Sequence, residues 1–173
     1  MTRDLSFVGG MLLAASLLVA VAVDAGQGAS GNPAPLPAAQ SLKPVPAGPL
    51  PPIPFEGPLA RPLAVVQSVY EFAARHPEVL QYVPCYCGCE RAGHTGNHDC
   101  FVRSRDASGR VTWDSHGAEC TICVDVARDA MLMFNSGASV TQIRAAIDQK
   151  WGARFPSHTP VPNPPSATRP SRG

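Results

Sequence analysis

The chain has 173 residues and a formal net charge of +1, so its charge gives no electrostatic case for binding nucleic acid. Seventeen of its nineteen prolines lie before residue 63 or after residue 155, which leaves about one small domain of chain between them. A core of that size is marginal by buried area alone, so disulfides or metal ions are expected to help hold it together.

The first predicted element is an apolar run from Leu5 to Val23, which follows a short polar start with one arginine. Small residues at its end suit a signal peptidase, so residues 1–25 are predicted to be a signal peptide. The run is also just long enough to span a bilayer, and an uncleaved N-terminal membrane anchor is the alternative. Both alternatives predict a domain that works outside the cytoplasm, secreted or membrane-anchored.

Two proline-rich segments flank the predicted domain. Residues 26–62 are rich in proline, alanine and glycine with few charges, which favours an extended linker that separates the domain from a membrane. Residues 156–173 have the same character and are predicted to be a disordered tail. The cysteine-rich domain is therefore predicted at residues 63–155.

The domain is predicted to begin with two helices. Pro62 suits the first turn of a helix that runs to about Arg75, because apolar residues recur there at helical spacing. The sequence His76-Pro77 interrupts this helix, since a residue before proline avoids helical dihedral angles. A short second helix from Pro77 to Gln81 is expected to follow.

A hairpin and two further helices complete the predicted domain. The strands are Phe101–Ser104 and Arg110–Trp113, with turn residues between them. A helical apolar period starts at Cys120, and a last helix opens at the capping box formed by Ser139 and Gln142. The predicted fold class is α+β: a small, mostly helical, cysteine-rich domain with one β-hairpin.

The six cysteines lie between positions 85 and 123, and three of them alternate in the segment Cys85-Tyr86-Cys87-Gly88-Cys89. In an extended segment alternate side chains point the same way, so these three sulfurs could face one point. Clustered thiolates suit Cu(I) or Zn(II), with histidines completing the donor set. The candidate metal ligands are Cys85, Cys87, Cys89, His94, His98, Cys100, Cys120 and Cys123.

Two other uses of the cysteines stay open. If a helix begins at Cys120, its thiolate is stabilised by unpaired backbone N–H groups, and the pair Cys120 and Cys123 could be redox-active, with His116 nearby. The six cysteines could also form structural disulfides, for which fifteen connectivities exist. Cysteines two apart cannot pair without strain, so each of the first three would need a distant partner.

The string PCYCGC from Pro84 to Cys89, followed by Gly93-His94 and by Cys120-Thr121-Ile122-Cys123, resembles a family of exported bacterial proteins named for this motif. The resemblance covers about Val65 to Gly152. Many members are lipoproteins, but this chain has no cysteine at the end of its apolar run. The family has no assigned function, so the resemblance implies export rather than a mechanism.

A second resemblance covers the later helices. The stretch Cys120-x-x-Cys123, Gly137-x-Ser139 and Trp151-Gly152 is similar to the thiol-bearing helical hairpin of accessory proteins that reduce apocytochrome c. This resemblance implies a redox or metal-insertion role.

The function predicted from the sequence is binding of a soft metal, Cu(I) before Zn(II), outside the cytoplasm. A carrier that hands metal to a recipient protein, such as an oxidase, is the sharper form of this hypothesis. The alternatives are a redox protein that uses Cys120 and Cys123, and a disulfide-stapled interaction module. No carboxylates are paired for acid–base work, so the sequence does not predict an enzyme.

Overall fold

The computed structural model describes residues 48–53 and 57–165. The predicted signal or anchor segment and most of the predicted linker lie outside these residues. Within the described ranges, no helix combines the length and the hydropathy that a membrane span requires.

The domain begins with two helices, as predicted. Helix α1 spans Leu63–Arg75 and buries one apolar stripe that includes Val66, Val69 and Tyr70. It ends before His76-Pro77, and Pro77 then opens the single-turn helix α2, Pro77–Leu80. The local signals in the sequence therefore fix both boundaries, because proline disfavours helical dihedrals in the residue before it and suits the first helical turn.

The hairpin lies in the middle of the domain. Strand β1 spans Val102–Arg105 and pairs antiparallel with β2, Val111–Trp113. The turn between them is closed by Asp106, whose carboxylate accepts the N–H groups of Ser108 and Arg110 at 2.9 and 3.0 Å. The hairpin therefore fixes the chain on either side of it, where the sequence places Cys100 and Asp114.

Three helices follow the hairpin. The short helix α3 spans His116–Glu119, and the longer α4 spans Thr121–Asn135. Helix α5, Val140–Ile147, opens with the predicted capping box of Ser139 and Gln142 and continues as a π-helical turn. The fold is α+β as predicted, with more helix than strand in the described residues.

The core forms where α1 and α5 both pack against α4. Tyr70 is its largest fully buried side chain, and its ring packs edge-on against Phe101 and Trp113 with centroids 5.1 and 5.6 Å away. Four cysteines are also buried within this core: Cys85, Cys89, Cys100 and Cys123. The thiol groups are therefore part of the packed interior.

The described chain beyond Phe155 packs on the domain, although the sequence predicts a tail there. Thr159 is fully buried and Val161 is 8% exposed. The backbone of Thr159 donates to the Cys85 carbonyl at 2.9 Å, and its hydroxyl accepts the Cys85 N–H at 2.8 Å. The segment packs because the buried backbone of Cys85 needs hydrogen-bond partners, and no local motif in the tail signals this.

Candidate metal centre

The segment Pro84–Cys89 carries the first three thiols into the core by a turn. The chain is irregular up to Cys87, and Gly88 then adopts a left-handed conformation with φ of 79°. Cys89 follows in a 3₁₀ turn, Cys89–Ala92. The three sulfurs do converge. The alternation expected of an extended segment does not extend to Cys89, because the turn at Gly88 sets the direction of the Cys89 side chain.

Four sulfurs, those of Cys85, Cys87, Cys100 and Cys123, form a network of five close contacts at the centre of the site. The Sγ atom of Cys85 lies 3.3, 3.6 and 3.5 Å from those of Cys87, Cys123 and Cys100. Cys123 lies 3.5 Å from Cys87 and 3.3 Å from Cys100, and Cys89 lies 3.8 Å from Cys100. Two sulfurs bound to one tetrahedral zinc are about 3.8 Å apart, as follows from Zn–S bonds of about 2.3 Å. The spacing is therefore close to that of sulfurs that share an ion.

All six cysteines lie within the described residues, and all six are free thiols. The two shortest Sγ–Sγ contacts, Cys85 to Cys87 and Cys100 to Cys123, are both 3.3 Å, whereas a disulfide bond is about 2.05 Å long. The contacts form a network in which one sulfur touches several others.

Two histidines lie against the sulfurs. The Nε2 atom of His116 is 3.4 Å from the Sγ of Cys87. The ring of His94 packs edge-on against the ring of His116, with centroids 5.3 Å apart. The Nδ1 atom of His94 is buried and has no hydrogen-bond partner among the described residues. A buried nitrogen without a partner is costly, and a metal ion would satisfy it.

Asp114 lies beside both histidines at the end of the hairpin. Its Oδ1 accepts the backbone N–H of His116 at 2.9 Å, in the turn that opens α3. Its Oδ2 lies 3.8 Å from Nε2 of His94 and accepts hydrogen bonds from Arg103 at 3.2 Å. A carboxylate behind an imidazole is the usual arrangement at metal-bound histidines, because it fixes the ring and raises its basicity.

Tyr70 holds the turn that carries His116. Its hydroxyl donates to the Asp114 carbonyl at 2.7 Å and accepts the Ala118 N–H at 2.9 Å. Burial raises the pKa of Tyr70, so the hydroxyl keeps its proton and can donate. Helix α1 thus positions the loop between β2 and α4.

Four groups of donor atoms could each hold an ion, and the atoms within each group lie within 4.8 Å of one another. Two of the groups have four donors. The first consists of Cys87, His116, Cys120 and Cys123. The second consists of Cys89, His94, Cys100 and His116. The other two groups contain three cysteines each and both include Cys85.

The structure places seven of the eight residues predicted as metal ligands in these groups, and His98 is the exception. The Nδ1 atom of His98 faces its neighbour Asp99 at 3.4 Å, so its ring is oriented by that carboxylate. His116 joins two groups, although the sequence suggested it only as a neighbour of a redox pair. The signal that could have found it is its position four residues before Cys120, on a turn that leads to the same site.

The thiols of the cluster differ in the direction in which their pKa values are shifted. Hydrogen bonds from Cys100 and Cys123 lower the pKa of Cys85 to about 4. The pKa of Cys87 is also lowered, by contacts with Cys100, Cys120 and Cys123. Contacts with Cys123 and Cys85 raise the pKa of Cys100. This thiol stays protonated and donates a hydrogen bond to the Cys85 sulfur. The hydrogen bonds therefore favour ionisation of Cys85 and Cys87 over that of Cys100.

Cys120 is the N-cap of α4, and Cys123 lies one turn further on, as the redox hypothesis requires. The contact with Cys123 lowers the pKa of Cys120, but the neighbouring Cys87 and burial outweigh it, and the pKa is raised. A redox-active thiol of this kind needs the opposite shift. The geometry of the pair therefore agrees with the redox hypothesis, whereas its electrostatics do not.

Comparisons with curated proteins and with solved structures find no match. A family model described as a protein of unknown function with a PCYCGC motif matches residues 59–164. The match includes the whole thiol cluster and both histidines that touch it, and extends to the packed segment around Thr159. This chain therefore belongs to the PCYCGC-motif family.

Proposed function

We propose that this domain binds a soft metal ion, Cu(I) or Zn(II), through its thiol cluster. The observation that carries the proposal is the network of sulfur contacts at 3.3 to 3.6 Å among Cys85, Cys87, Cys100 and Cys123. Thiolates are soft donors that select Cu(I) and Zn(II) over hard cations such as Mg(II) and Ca(II).

Ordinary core packing is the competing explanation, because a free cysteine is among the most buried residue types. Three features favour a metal over packing. The sulfurs touch one another within the core, two imidazoles join them, and Nδ1 of His94 in this group is buried without a partner in the described part of the chain. A core filled only by packing gains nothing from an unpaired imidazole nitrogen.

The direct test is metal uptake by the full chain, purified anaerobically and fully reduced. We expect Zn(II) and Cu(I) to bind in competition with chromophoric chelators, and binding to release protons because thiols must ionise to coordinate. A reduced chain that takes up neither ion would end the proposal. His76→Asn is the matched control for histidine substitutions, because the His76 ring packs on Phe72 and Phe134 and belongs to none of the donor groups.

The finer form of the proposal is a carrier that delivers Cu(I) to a recipient protein outside the cytoplasm. The apolar run before residue 24 supports an exported or membrane-anchored chain. The part-exposed Cys87, Cys120 and His116 support transfer, since a recipient could reach them. Fractionation of the producing cells tests the location, and a cytoplasmic, metal-free protein would contradict this form.

A thiol count separates the proposal from the two other uses of the cysteines. Protein isolated from its native compartment should keep its thiols reduced and metal-bound. A protein without free thiols would support structural disulfides. Reversible oxidation confined to Cys120 and Cys123, without metal uptake, would support the redox alternative.

A further inference from the structure

We infer that the centre holds two metal ions in adjacent sites, each formed by three cysteine sulfurs and one imidazole. The inference rests on the proposed function and specifies how many ions the cluster takes and which residues hold each. The donors number eight: six sulfurs and the imidazoles of His94 and His116. A tetrahedral ion uses four donors, so one ion would leave half of them unused.

The first site, here called the outer site, consists of Cys87, His116, Cys120 and Cys123. These four donor atoms lie within 4.8 Å of one another. The Nε2 atom of His116 points at this group, 3.4 Å from the sulfur of Cys87. A neutral imidazole offers one lone pair, so His116 serves one ion. Its distance to Cys87 assigns it to the outer site.

The second site, here called the inner site, then needs a fourth donor besides Cys89, His94 and Cys100. Cys85 supplies it, because its sulfur is 3.5 Å from that of Cys100. It also lies within 4.8 Å of the Cys89 sulfur. Nδ1 of His94 is one of four buried side-chain atoms without a partner in the described ranges and the one that belongs to this donor group, so it is assigned as the nitrogen ligand while Nε2 faces Asp114. The assignment uses every donor once.

The two sites touch through their sulfurs. Cys85 of the inner site lies 3.3 Å from Cys87 and 3.6 Å from Cys123 of the outer site. Cys100 of the inner site lies 3.3 Å from Cys123. Two ions in these sites would therefore be neighbours, close enough for a thiolate of one site to contact the other ion.

The sites differ in their access to solvent. The sulfur-bearing residues of the inner site are buried: Cys85 and Cys100 are 0% exposed and Cys89 is 3% exposed. In the outer site Cys123 is buried, whereas Cys87, Cys120 and His116 are partly exposed. A chelator or a recipient protein can reach the outer ion first. The inner ion is expected to be retained and the outer ion to exchange.

Zn(II) binding by the full chain tests this directly, with the count taken by native mass spectrometry. We expect two ions per chain and biphasic removal by a chelator, with half of the zinc leaving at least ten times faster than the rest. Uptake of one ion per chain would overturn the inference and leave the proposed function standing. Uptake of no ion would end both. Removal of both ions in one phase would overturn the assignment of an accessible and a retained site.

Two matched cysteine variants assign the phases. Cys120→Ser should abolish the fast phase and keep the slow one, and Cys89→Ser should abolish the slow phase. His116→Asn and His94→Asn are the second pair, for use where a serine variant fails to fold by circular dichroism. Loss of the same phase in both members of a pair would overturn the division into two sites.

Discussion

Asp114 connects the two histidines of the centre through a single side chain. One carboxylate oxygen accepts the N–H of His116 at 2.9 Å, and the other lies 3.8 Å from His94. The side chain is 12% exposed and Arg103 also donates to it, so its position is well defined. We expect Asp114 to act on metal binding through the charge that it places beside the His94 ring.

Asp114→Asn tests this role, because the amide oxygen can still accept the His116 N–H but the negative charge behind His94 is lost. We expect metal affinity to fall by roughly 10- to 100-fold, as for other residues that orient ligands. The measurement is chelator competition with Zn(II). Asp125→Asn is the control, since Asp125 pairs with Arg61 and belongs to none of the donor groups, and an equal loss there would contradict the role of Asp114.

Gly117 allows the turn behind His116 to approach the core. A Cβ atom at this position would lie 2.5 Å from the ring of Phe101 and 2.6 Å from the Cys100 carbonyl oxygen. Both neighbours are buried, so neither can move aside easily.

We therefore expect Gly117→Ala to lower the free energy of unfolding by about 1–3 kcal/mol, the usual effect of overpacking a core. Urea unfolding of the reduced, metal-free chain measures this. Gly152→Ala is the control, because a Cβ there would meet nothing within 4 Å. A Gly117→Ala protein as stable as that control would show that the turn can shift.

The packed segment around Thr159 acts at the scale of an element. It pairs with the backbone of Cys85 by two hydrogen bonds, at 2.8 and 2.9 Å. The Cys85 sulfur contacts three other sulfurs, as the sulfurs of Cys100 and Cys123 also do. The segment therefore fixes one of the three best-connected residues of the cluster, although Thr159 is 74 residues away in the chain.

Thr159→Val removes the hydroxyl that accepts the Cys85 N–H and leaves that buried group without a partner. We expect a loss of about 1–3 kcal/mol in the free energy of unfolding and weaker retention of the inner ion. Thermal unfolding and chelator release measure the two effects. Ser157→Ala is the control because Ser157 is exposed, and an effect of equal size there would contradict the role of Thr159.

The elements that the sequence predicts well are those with local signals. Helix α1 ends where His76-Pro77 predicts, and α5 opens at the capping box of Ser139 and Gln142. The packing of Thr159 depends on contacts between distant parts of the chain, which no local pattern in a single sequence encodes. His116 has a local signal, its position four residues before Cys120, but its contact with Cys87, 29 residues away, needed the structure.

At the scale of the whole molecule, the centre joins separate parts of the domain. Cys85 and Cys89 come from the segment after α2, Cys100 precedes β1, and Cys123 lies in α4. Ions bound by these residues would cross-link segments that are otherwise held by a small core. The convergence of the early and late cysteines was the central expectation from sequence, and the structure brings them into contact.

Metal binding should therefore stabilise the fold. A ligand at 100 times its dissociation constant adds about 2.7 kcal/mol to the free energy of unfolding if it binds the folded state alone. Calorimetry of the reduced chain should show a higher Tm with Zn(II) than after chelation. Mg(II) is the control ion, because thiolates bind hard cations poorly. An unchanged Tm with Zn(II) would contradict the coupling.

X-ray absorption spectroscopy at the zinc edge tests the central claim most directly, because it reports the atoms bound to the ion. For the full chain loaded anaerobically with Zn(II), we predict a sulfur shell at about 2.3 Å with about three sulfurs and one imidazole per ion. A first shell of oxygen and nitrogen without sulfur would contradict the claim that the converging thiols form a metal centre.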